Sequence, residues 1–574
     1  MAGRYTAPAT ANTRSFELGV IMKSDYADLL VLGASAAGLK CAARYRRLCP
    51  TARIVVLDAQ EEISVGACGL PYVISGDIDD PDALRQTPFD VLRDEHYFRV
   101  YKRIEVSTGI RAESIDTKQR EVRALRLADG SNVSFRYERL LLAMGAAPKS
   151  LAGVRVGSER VRFVKTMDDA RTIRALLEKG KVESAAIVGA GFIGCEMAEA
   201  FRSMWGCEVT LIEAADQILP GMLDADLASV VQRELESNSV RVLLRSAVLG
   251  IEEGQGVTIR LPQESIEVDL VVVGIGVSPR TELALEAGIE VGSCGGIVVD
   301  ERMRTNVPNV YAAGDCVECR SVVTGRAMLA TLGSLANRQG RVAADHMAGK
   351  VSRFGPVARS AVVKVMDVHA AATGMTHGEA VRAGMRVCSV WGTFGDRAHY
   401  YPDEQRWFGR MVWERATSRL VGLQVVGRGD VTRSVDVFSS VLLRGGQVAD
   451  LLDLEFAYAP PFASALDPLH HLAAMAMAHE QDGIEALGPE EPVIGTCVDL
   501  RSVNESKAAP SEEAAMHVPM QELWEREAEL PEGDLSLLCE RGPRSMDAVR
   551  GLVGKRAARV VYLAGGQGFR SKKL

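Results

Sequence analysis

Residues 185–196 read AAIVGAGFIGCE, and residues 208–213 read EVTLIE. A short apolar run enters Gly189-x-Gly191-x-x-Gly194, a helical pattern follows, and a second apolar run ends on Glu213. The order is strand, tight turn, helix, strand. The first glycine allows the turn, the second lets backbone approach a pyrophosphate, and the third lets helix and strand pack closely. The start of that helix, with Phe192, Ile193 and Glu196, offers free N–H groups and partial positive charge to phosphates. Glu213 is spaced to accept hydrogen bonds from a ribose 2′-hydroxyl. Ala214 and Ala215 follow it, with no arginine for a 2′-phosphate, which favours NADH over NADPH.

The same pattern stands roughly 155 residues upstream. Residues 28–33 (DLLVLG) enter Gly33-Ala-Ser35-Ala36-Ala-Gly38, a helix is expected through Arg47, and residues 53–58 (RIVVLD) end on Asp58. Ser35 replaces the middle glycine and crowds the phosphate approach slightly. Asp58 is placed for the adenosine ribose. Residues 309–315 (NVYAAGD) predict a short strand, a Gly314-Asp315 turn and a helix. That turn would bring a carboxylate and helix N–H groups to the ribityl and phosphate of a flavin. Two such folds imply FAD and NADH facing each other for hydride passage. Further strands are expected at 139–145, with Ala143 and Gly145, and at 269–276, ending on Gly276.

Composition sets the bounds around these motifs. The 574 residues are 47% apolar and 25% charged, as in a soluble globular protein of about four domains. Fifty-four glycines against 5% aromatics suit a nucleotide-binding α/β enzyme better than a β sandwich. The net charge of −8 gives a nucleic-acid partner no global support. No apolar run reaches the roughly 18 residues that span a bilayer. Residues 1–24 read as a loose extension without a secretory signal. Eleven cysteines without framework spacing suggest thiols in a reducing, cytoplasmic setting.

Two cysteines have local sequence that suggests chemistry. Residues 64–75 read SVGACGLPYVIS. Pro71 fits the first position of a short helix, so Cys68 falls on the glycine-flanked turn before it, where a thiolate is favoured. From position alone, a small buried hydrophobe remains the alternative. The second is Cys539, in residues 539–545 (CERGPRS). There successive N–H groups, Gly542 and Ser545 included, can curl around sulfur before a helix, with Arg541 and Arg544 adding positive charge.

Residues 25–475 resemble the single-cysteine branch of the pyridine nucleotide–disulfide oxidoreductases, particularly coenzyme A disulfide reductases and NADH-dependent persulfide reductases. The likeness is carried by Ser64-x-x-x-Cys68-Gly-Leu-Pro-Tyr72, Leu142-Ala-Met-Gly145, residues 189–196, 274–279 (GIGVSP), 311–315, 399–402 (HYYP) and 458–461 (YAPP). No second cysteine stands four residues beyond Cys68, so an internal dithiol cycle is not expected. The resemblance implies that Cys68 forms a mixed disulfide with a small thiol, which the reduced flavin resolves. It implies that Tyr400 and Tyr458 serve the cysteine across a homodimer, with packing residues as the alternative. It marks Phe192 as an aromatic gate over the flavin, or simply a helix-packing residue. It places Ser64, Arg44 and Arg47 near bound coenzyme A, though the two arginines fit a solvated basic face equally well. Ala67 and Met144 depart from the family's usual asparagine and threonine.

Residues 490–574 resemble a rhodanese domain, through Asp499-x-Arg501, Glu505, His517-Val-Pro519, the 539–545 loop and Leu563-Ala-Gly565-Gly566. Phe569 stands where tryptophan is common.

The expected fold is α/β: two Rossmann-like nucleotide-binding domains, an α+β dimerisation domain and a rhodanese-like α/β domain. The expected boundaries are 1–24 extension, 25–150 with 273–351 FAD-binding, 151–272 NAD(H)-binding, 352–475 dimerisation, 476–489 linker and 490–574 rhodanese. The expected activity is NADH-dependent reduction of a persulfide, polysulfide or coenzyme A disulfide, with Cys539 carrying sulfane sulfur. The alternatives are an NADH oxidase or peroxidase cycling Cys68 through sulfenic acid, and a sulfurtransferase with a regulatory flavoprotein half. No metal, nucleic acid or membrane partner is expected. Cys316-x-x-Cys319 has redox or zinc spacing but no second pair, and His470-His471 reads as a helix surface or interface.

Overall fold

The computed structural model describes residues 25–571, so the 1–24 extension lies outside the described residues. Strand Asp25–Leu32 pairs in parallel with Ile54–Leu57 on one side and Asn132–Leu142 on the other. Leu29, Leu30 and Val31 are all fully buried, on both faces of the sheet, which is why the strand reads as a continuous apolar run. Val310–Ala312 adds to the far edge of Asn132–Leu142. Helix Ala36–Leu48 packs on helix Gly333–Met347. The crossing is close: a Cβ on Gly340 would lie 2.3 Å from the Ala37 carbonyl oxygen.

The helix expected directly after Gly314-Asp315 does not form there. The hairpin Cys319–Arg320 with Ala327–Met328 intervenes, and the helix begins only at Gly333. Gly314 instead donates its N–H to the buried Gln339 side chain at 2.7 Å, so that later helix closes the turn.

The second nucleotide fold is a five-stranded parallel sheet in the order Val240–Leu243, Glu208–Ile212, Ser184–Val188, Leu270–Val273, Val161–Arg162. Its helix Phe192–Glu199 runs into a π turn at Ala200–Met204. Trp205, just past that turn, donates to the Ile74 carbonyl at 2.8 Å and so fastens the Cys68 segment to this unit. Two-stranded pairing of Ala146–Pro148 with Val277–Pro279 makes the double crossover between the nucleotide folds.

Residues beyond 352 form an antiparallel five-stranded sheet, in the order Ala361–Val365, Val368–Gly374, Leu420–Gly427, Arg406–Glu414, Val387–Gly395. Asp224 joins this sheet to the second nucleotide fold. Its carboxylate accepts from the His377 and Gly378 N–H groups at 2.9 Å, from Gln424, and pairs with Arg410 at 3.2 Å.

The linker expected at 476–489 is largely absent. Asp467 and His470 form a capping box around Pro468, and a Leu/Ala/Met-rich helix runs unbroken over Pro468–Gln481. Glu485–Leu487 already belongs to the C-terminal sheet, pairing with Val560–Leu563. That sheet is parallel, ordered Glu485–Leu487, Val560–Leu563, Leu535–Leu538, Thr496–Asp499, Met516–His517. Phe569, buried, stacks on Phe408 of the antiparallel sheet at 4.6 Å between ring centroids. The Thr393 hydroxyl donates to the Gly565 carbonyl at 2.7 Å. Among the described residues no helix is long and apolar enough to cross a membrane.

Phe569→Ala is expected to cost about 3–5 kcal/mol through the cavity it leaves at this junction. Calorimetry should then show the C-terminal unit melting before the rest. A single transition at the wild-type temperature would contradict the anchoring role.

Candidate active site

Each glycine turn is built without room for a side chain. A Cβ on Gly33 (φ +112°) would lie 2.2 Å from the Ala143 carbonyl oxygen, and one on Gly38 1.9 Å from that of Gly33. In the second fold, Gly189 (φ +103°) sits 2.5 Å from the Gly274 carbonyl oxygen by the same measure, and Gly194 1.9 Å from that of Gly189. Gly274 opens the 274–279 (GIGVSP) segment of the resemblance but was not itself singled out as a site residue.

The two acidic residues share one arrangement. Asp58 accepts from the Ala34 N–H at 2.6 Å and the Gln60 N–H at 2.8 Å. Glu213 accepts from Ala190 at 2.7 Å and Ala215 at 2.8 Å. Each carboxylate braces its own glycine loop, and each oxygen keeps a lone pair for a ribose hydroxyl. The helices that follow begin at Ser35 and Gly191 without a side-chain cap and without an acidic residue in the first turn. Their first N–H groups therefore suit phosphate. Ala36 opens the first of these helices. These features fit a dinucleotide at each loop.

Gly145 (φ +67°) and Gly276 (φ +98°) flank the crossover, where the Arg280 backbone N–H donates to the Gly145 carbonyl and the Lys149 backbone N–H to that of Gly276. Asp315 is held above the usual carboxylate range by burial, with Lys165 opposing. Neither Lys165 nor Gln339 was legible as a site residue. Arg245 was also missed: its N–H donates to the Ala215 carbonyl at 2.8 Å, so a guanidinium-bearing residue borders the Glu213 turn after all.

Cys68 lies in the 3-10 turn Ala67–Gly69, immediately before helix Leu70–Ser75. Pro71 takes the second helical position rather than the first. Ser64 is left-handed (φ +58°), and its N–H donates to the Ala34 carbonyl at 2.9 Å, so the cysteine segment hangs from the first glycine loop. Of the eleven cysteines, Cys68 alone is exposed. Phe192 and Ile193 are also exposed, which disfavours the helix-packing alternative for Phe192. Glu196 is pushed up to about 7 by burial and by the neighbouring Glu199. The Tyr72 phenol is raised by burial and then by Glu196.

The arginines on the first helix separate. Arg44 is bound to Asp345 at 2.6 Å, while Arg47 is exposed. The charge of Arg44 is thus already matched within the chain. Tyr400 and Tyr458, both exposed, bring their hydroxyls within 3.2 Å of each other. They line a groove of about 350 Å³ that also includes His471, Glu404, Arg541 and Pro543.

Cys539 is buried at the end of strand Leu535–Leu538. Its sulfur accepts from the Gly542 N–H at 3.0 Å and the Ser545 hydroxyl at 3.3 Å. Gly542 has φ +110°, which lets the loop curl before helix Pro543–Leu552. The arginines do not complete this cradle as expected. Arg544 is taken up by Glu505 at 2.6 and 2.9 Å, and Arg541 by Glu404 at 3.3 Å. Cys316 and Cys319 are buried thiols raised to about 11. Cys316 donates to backbone carbonyls, and Cys319 accepts from Gln339. No cluster of His, Cys, Asp and Glu among the described residues is arranged to hold a metal.

The pyridine nucleotide-disulphide oxidoreductase model matches residues 27–339, and the family's dimerisation-domain model matches residues 360–470. This chain belongs to the pyridine nucleotide-disulphide oxidoreductase family. It is an oxidoreductase, and its family uses FAD and NAD(P)H. It is 34% identical, over 78% of its length and 97% of the relative's, to an NAD(P)H coenzyme A polysulfide/persulfide reductase of Pyrococcus horikoshii. It is 33% identical to an NADH oxidase of Methanocaldococcus jannaschii, over 78% of this chain and 98% of that one. A solved NAD-dependent persulfide reductase from A. fulgidus superposes with a TM-score of 0.90 at 36% identity, covering 94% of this chain and 99% of that one. The reduced Bacillus anthracis CoADR-RHD does so with 0.88 at 28% identity, covering 96% and 98%. These two likenesses extend into the C-terminal unit, beyond the family-model matches.

Because the folded chain holds the Glu196 proton more tightly than the unfolded chain does, stability should fall as pH rises from about 4.5 to about 7. Glu196→Gln should remove that part of the slope. Denaturant midpoints of both proteins across pH 4.5–8 check this; a constant difference between them would refute it.

Proposed function

We propose that this enzyme uses NADH, with FAD, to reduce a low-molecular-weight persulfide, polysulfide or coenzyme A disulfide, and that its C-terminal unit is a rhodanese domain carrying sulfane sulfur on Cys539. The observation that carries the reading is the pairing of one exposed thiol, Cys68, beside the glycine loops, with one buried and cradled thiol, Cys539, in the same chain. The first is open to a small substrate and has no partner cysteine four residues on. The second is built to hold a sulfur anion.

Bound FAD and NADH supply the electron pair. Asp58 and Glu213 would orient the riboses, and the uncapped helix starts would hold the phosphates. The Cys68 thiolate attacks the inner sulfur of a persulfide R–S–SH. An S–S bond forms between Cys68 and R–S, the S–SH bond breaks, and hydrosulfide leaves with its electron pair. Two electrons and a proton then return Cys68 to thiolate and release R–SH. Tyr400 and Tyr458, in a homodimer, are suited to hydrogen-bond the departing sulfur. Retention of Glu213 without a following arginine favours NADH, and Arg245 is the residue that would moderate the preference against NADPH.

Cys68→Ser should lower NADH-dependent hydrosulfide release at least 100-fold. Cys539→Ser should abolish sulfur transfer to cyanide yet leave reduction of added persulfide above half. Full NADH turnover on polysulfide by Cys68→Ser would refute the mechanism. The relative named NADH oxidase favours a second reading, oxygen reduction at Cys68. It would be supported if oxygen consumed NADH faster than polysulfide in the wild-type enzyme.

A further inference from the structure

The loop around Cys539 is charge-matched residue by residue. Arg541 pairs with Glu404 at 3.3 Å and Arg544 with Glu505 at 2.6 Å. Glu540 lies 3.3 Å from Arg406 and 3.6 Å from Arg501, and Arg501 is bound by Asp499 at 2.8 Å. Four carboxylates thus answer four guanidiniums, and the sulfur itself is held by neutral donors, the Gly542 N–H and the Ser545 hydroxyl. Two of these pairs cross between units, Arg406 with Glu540 and Arg541 with Glu404. Glu404 lies just ahead of strand Arg406–Glu414, in the loop that carries Tyr400, yet it engages the residue two places after Cys539. Glu404, Arg541 and Pro543 line the 350 Å³ groove, which therefore borders the loop that holds the buried Cys539. The other guanidinium on that wall, Arg397, is bound by Asp396.

We propose that Glu404 is a specificity-determining residue for sulfur loading at Cys539. By neutralising Arg541 it excludes dianionic donors of the thiosulfate type and leaves the loop to organic persulfides, whose reacting sulfur carries at most one charge. This rests on Cys539 being the sulfur carrier, as argued above. In both donors the Cys539 thiolate attacks the outer sulfur, a new S–S bond forms, and the old S–S bond breaks. The electron pair leaves with sulfite in one case and with a thiolate in the other, so no external oxidant or reductant is needed. The two donors differ in what the loop must tolerate: a dianion beside a charge-neutral wall, or a thiol-sized leaving group. Two unit charges several ångströms away, in a half-buried setting, are sufficient to separate them by an order of magnitude.

The test is sulfur transfer to cyanide by the full-length flavoenzyme, with thiosulfate and with glutathione persulfide as donors. Glu404→Gln leaves Arg541 unmatched. It should raise kcat/KM for thiosulfate about tenfold, chiefly through KM, while the persulfide value moves less than about twofold. The gain should shrink as salt is raised from 0.05 to 0.5 M. Glu404→Asp keeps a carboxylate and should restore the wild-type donor ratio. Equal changes with both donors, or an unchanged thiosulfate value in a folded Glu404→Gln enzyme, would overturn the proposal. Should that variant fold poorly, a wild-type thiosulfate KM that climbs steeply with salt would overturn it independently, since it would reveal an unmatched cation. Cys539→Ser in the Glu404→Gln background separates the two ideas. Residual transfer there would reject Cys539 as carrier, whereas a donor-independent effect with Cys539 essential would reject only the role of Glu404.

Discussion

The approach of backbone to backbone at the glycine turns is the constraint from which the rest of the molecule is hung. With a Cβ on Gly38 only 1.9 Å from the Gly33 carbonyl oxygen, no other residue lets the first helix start where it does. That start fixes the Ala34 backbone, whose N–H is held by Asp58 and whose carbonyl holds Ser64. The Cys68 turn follows four residues later and is tied at its other end, through Ile74, to Trp205 of the second fold. One steric requirement therefore positions the uncapped helix amides, the Asp58 carboxylate and the exposed Cys68 thiol together. The second fold repeats the arrangement with Gly189, Gly194, Ala190 and Glu213.

Much of this was legible because it is local. A turn that demands glycine, a strand buried on both faces and a carboxylate at the end of the next strand all leave marks at fixed spacing. The Cys68 turn and the Gly542–Ser545 cradle were readable for the same reason. What escaped was set by residues distant in sequence. Gln339 closes the Gly314 turn from a helix that starts nineteen residues after Gly314. Arg245 meets Ala215 only because two strands lie side by side in the sheet. The arginines of the 539–545 loop suggested a cationic nest; Glu505 belongs to the rhodanese-like pattern and Glu404 to no motif, and neither was marked in the sequence as their partner.

The 476–489 segment misled for a different reason. Asp-Gly and Gly-Pro pairs at 482–483 and 488–489 look like loop punctuation, and they are. They punctuate the two ends of a three-residue strand, and the polar residues before them ride on the last turn of a capped helix. Phe569, read as a mild departure, turned out to be the aromatic anchor against Phe408.

Under the proposed function, with Cys539 carrying sulfane sulfur, that continuous helix changes how sulfur must travel. A module on a floppy tether would search a volume, and the rate at which it met another site would depend on tether length. Here the Cys539 thiol is bolted to the antiparallel sheet by a helix, a ring stack and crossed ion pairs. The separation between Cys539 and Cys68 within the chain is then a fixed dimension. In the proposed cycle the diffusing species would be the small thiol, and throughput would be governed by how quickly that molecule exchanges, not by how far a domain swings.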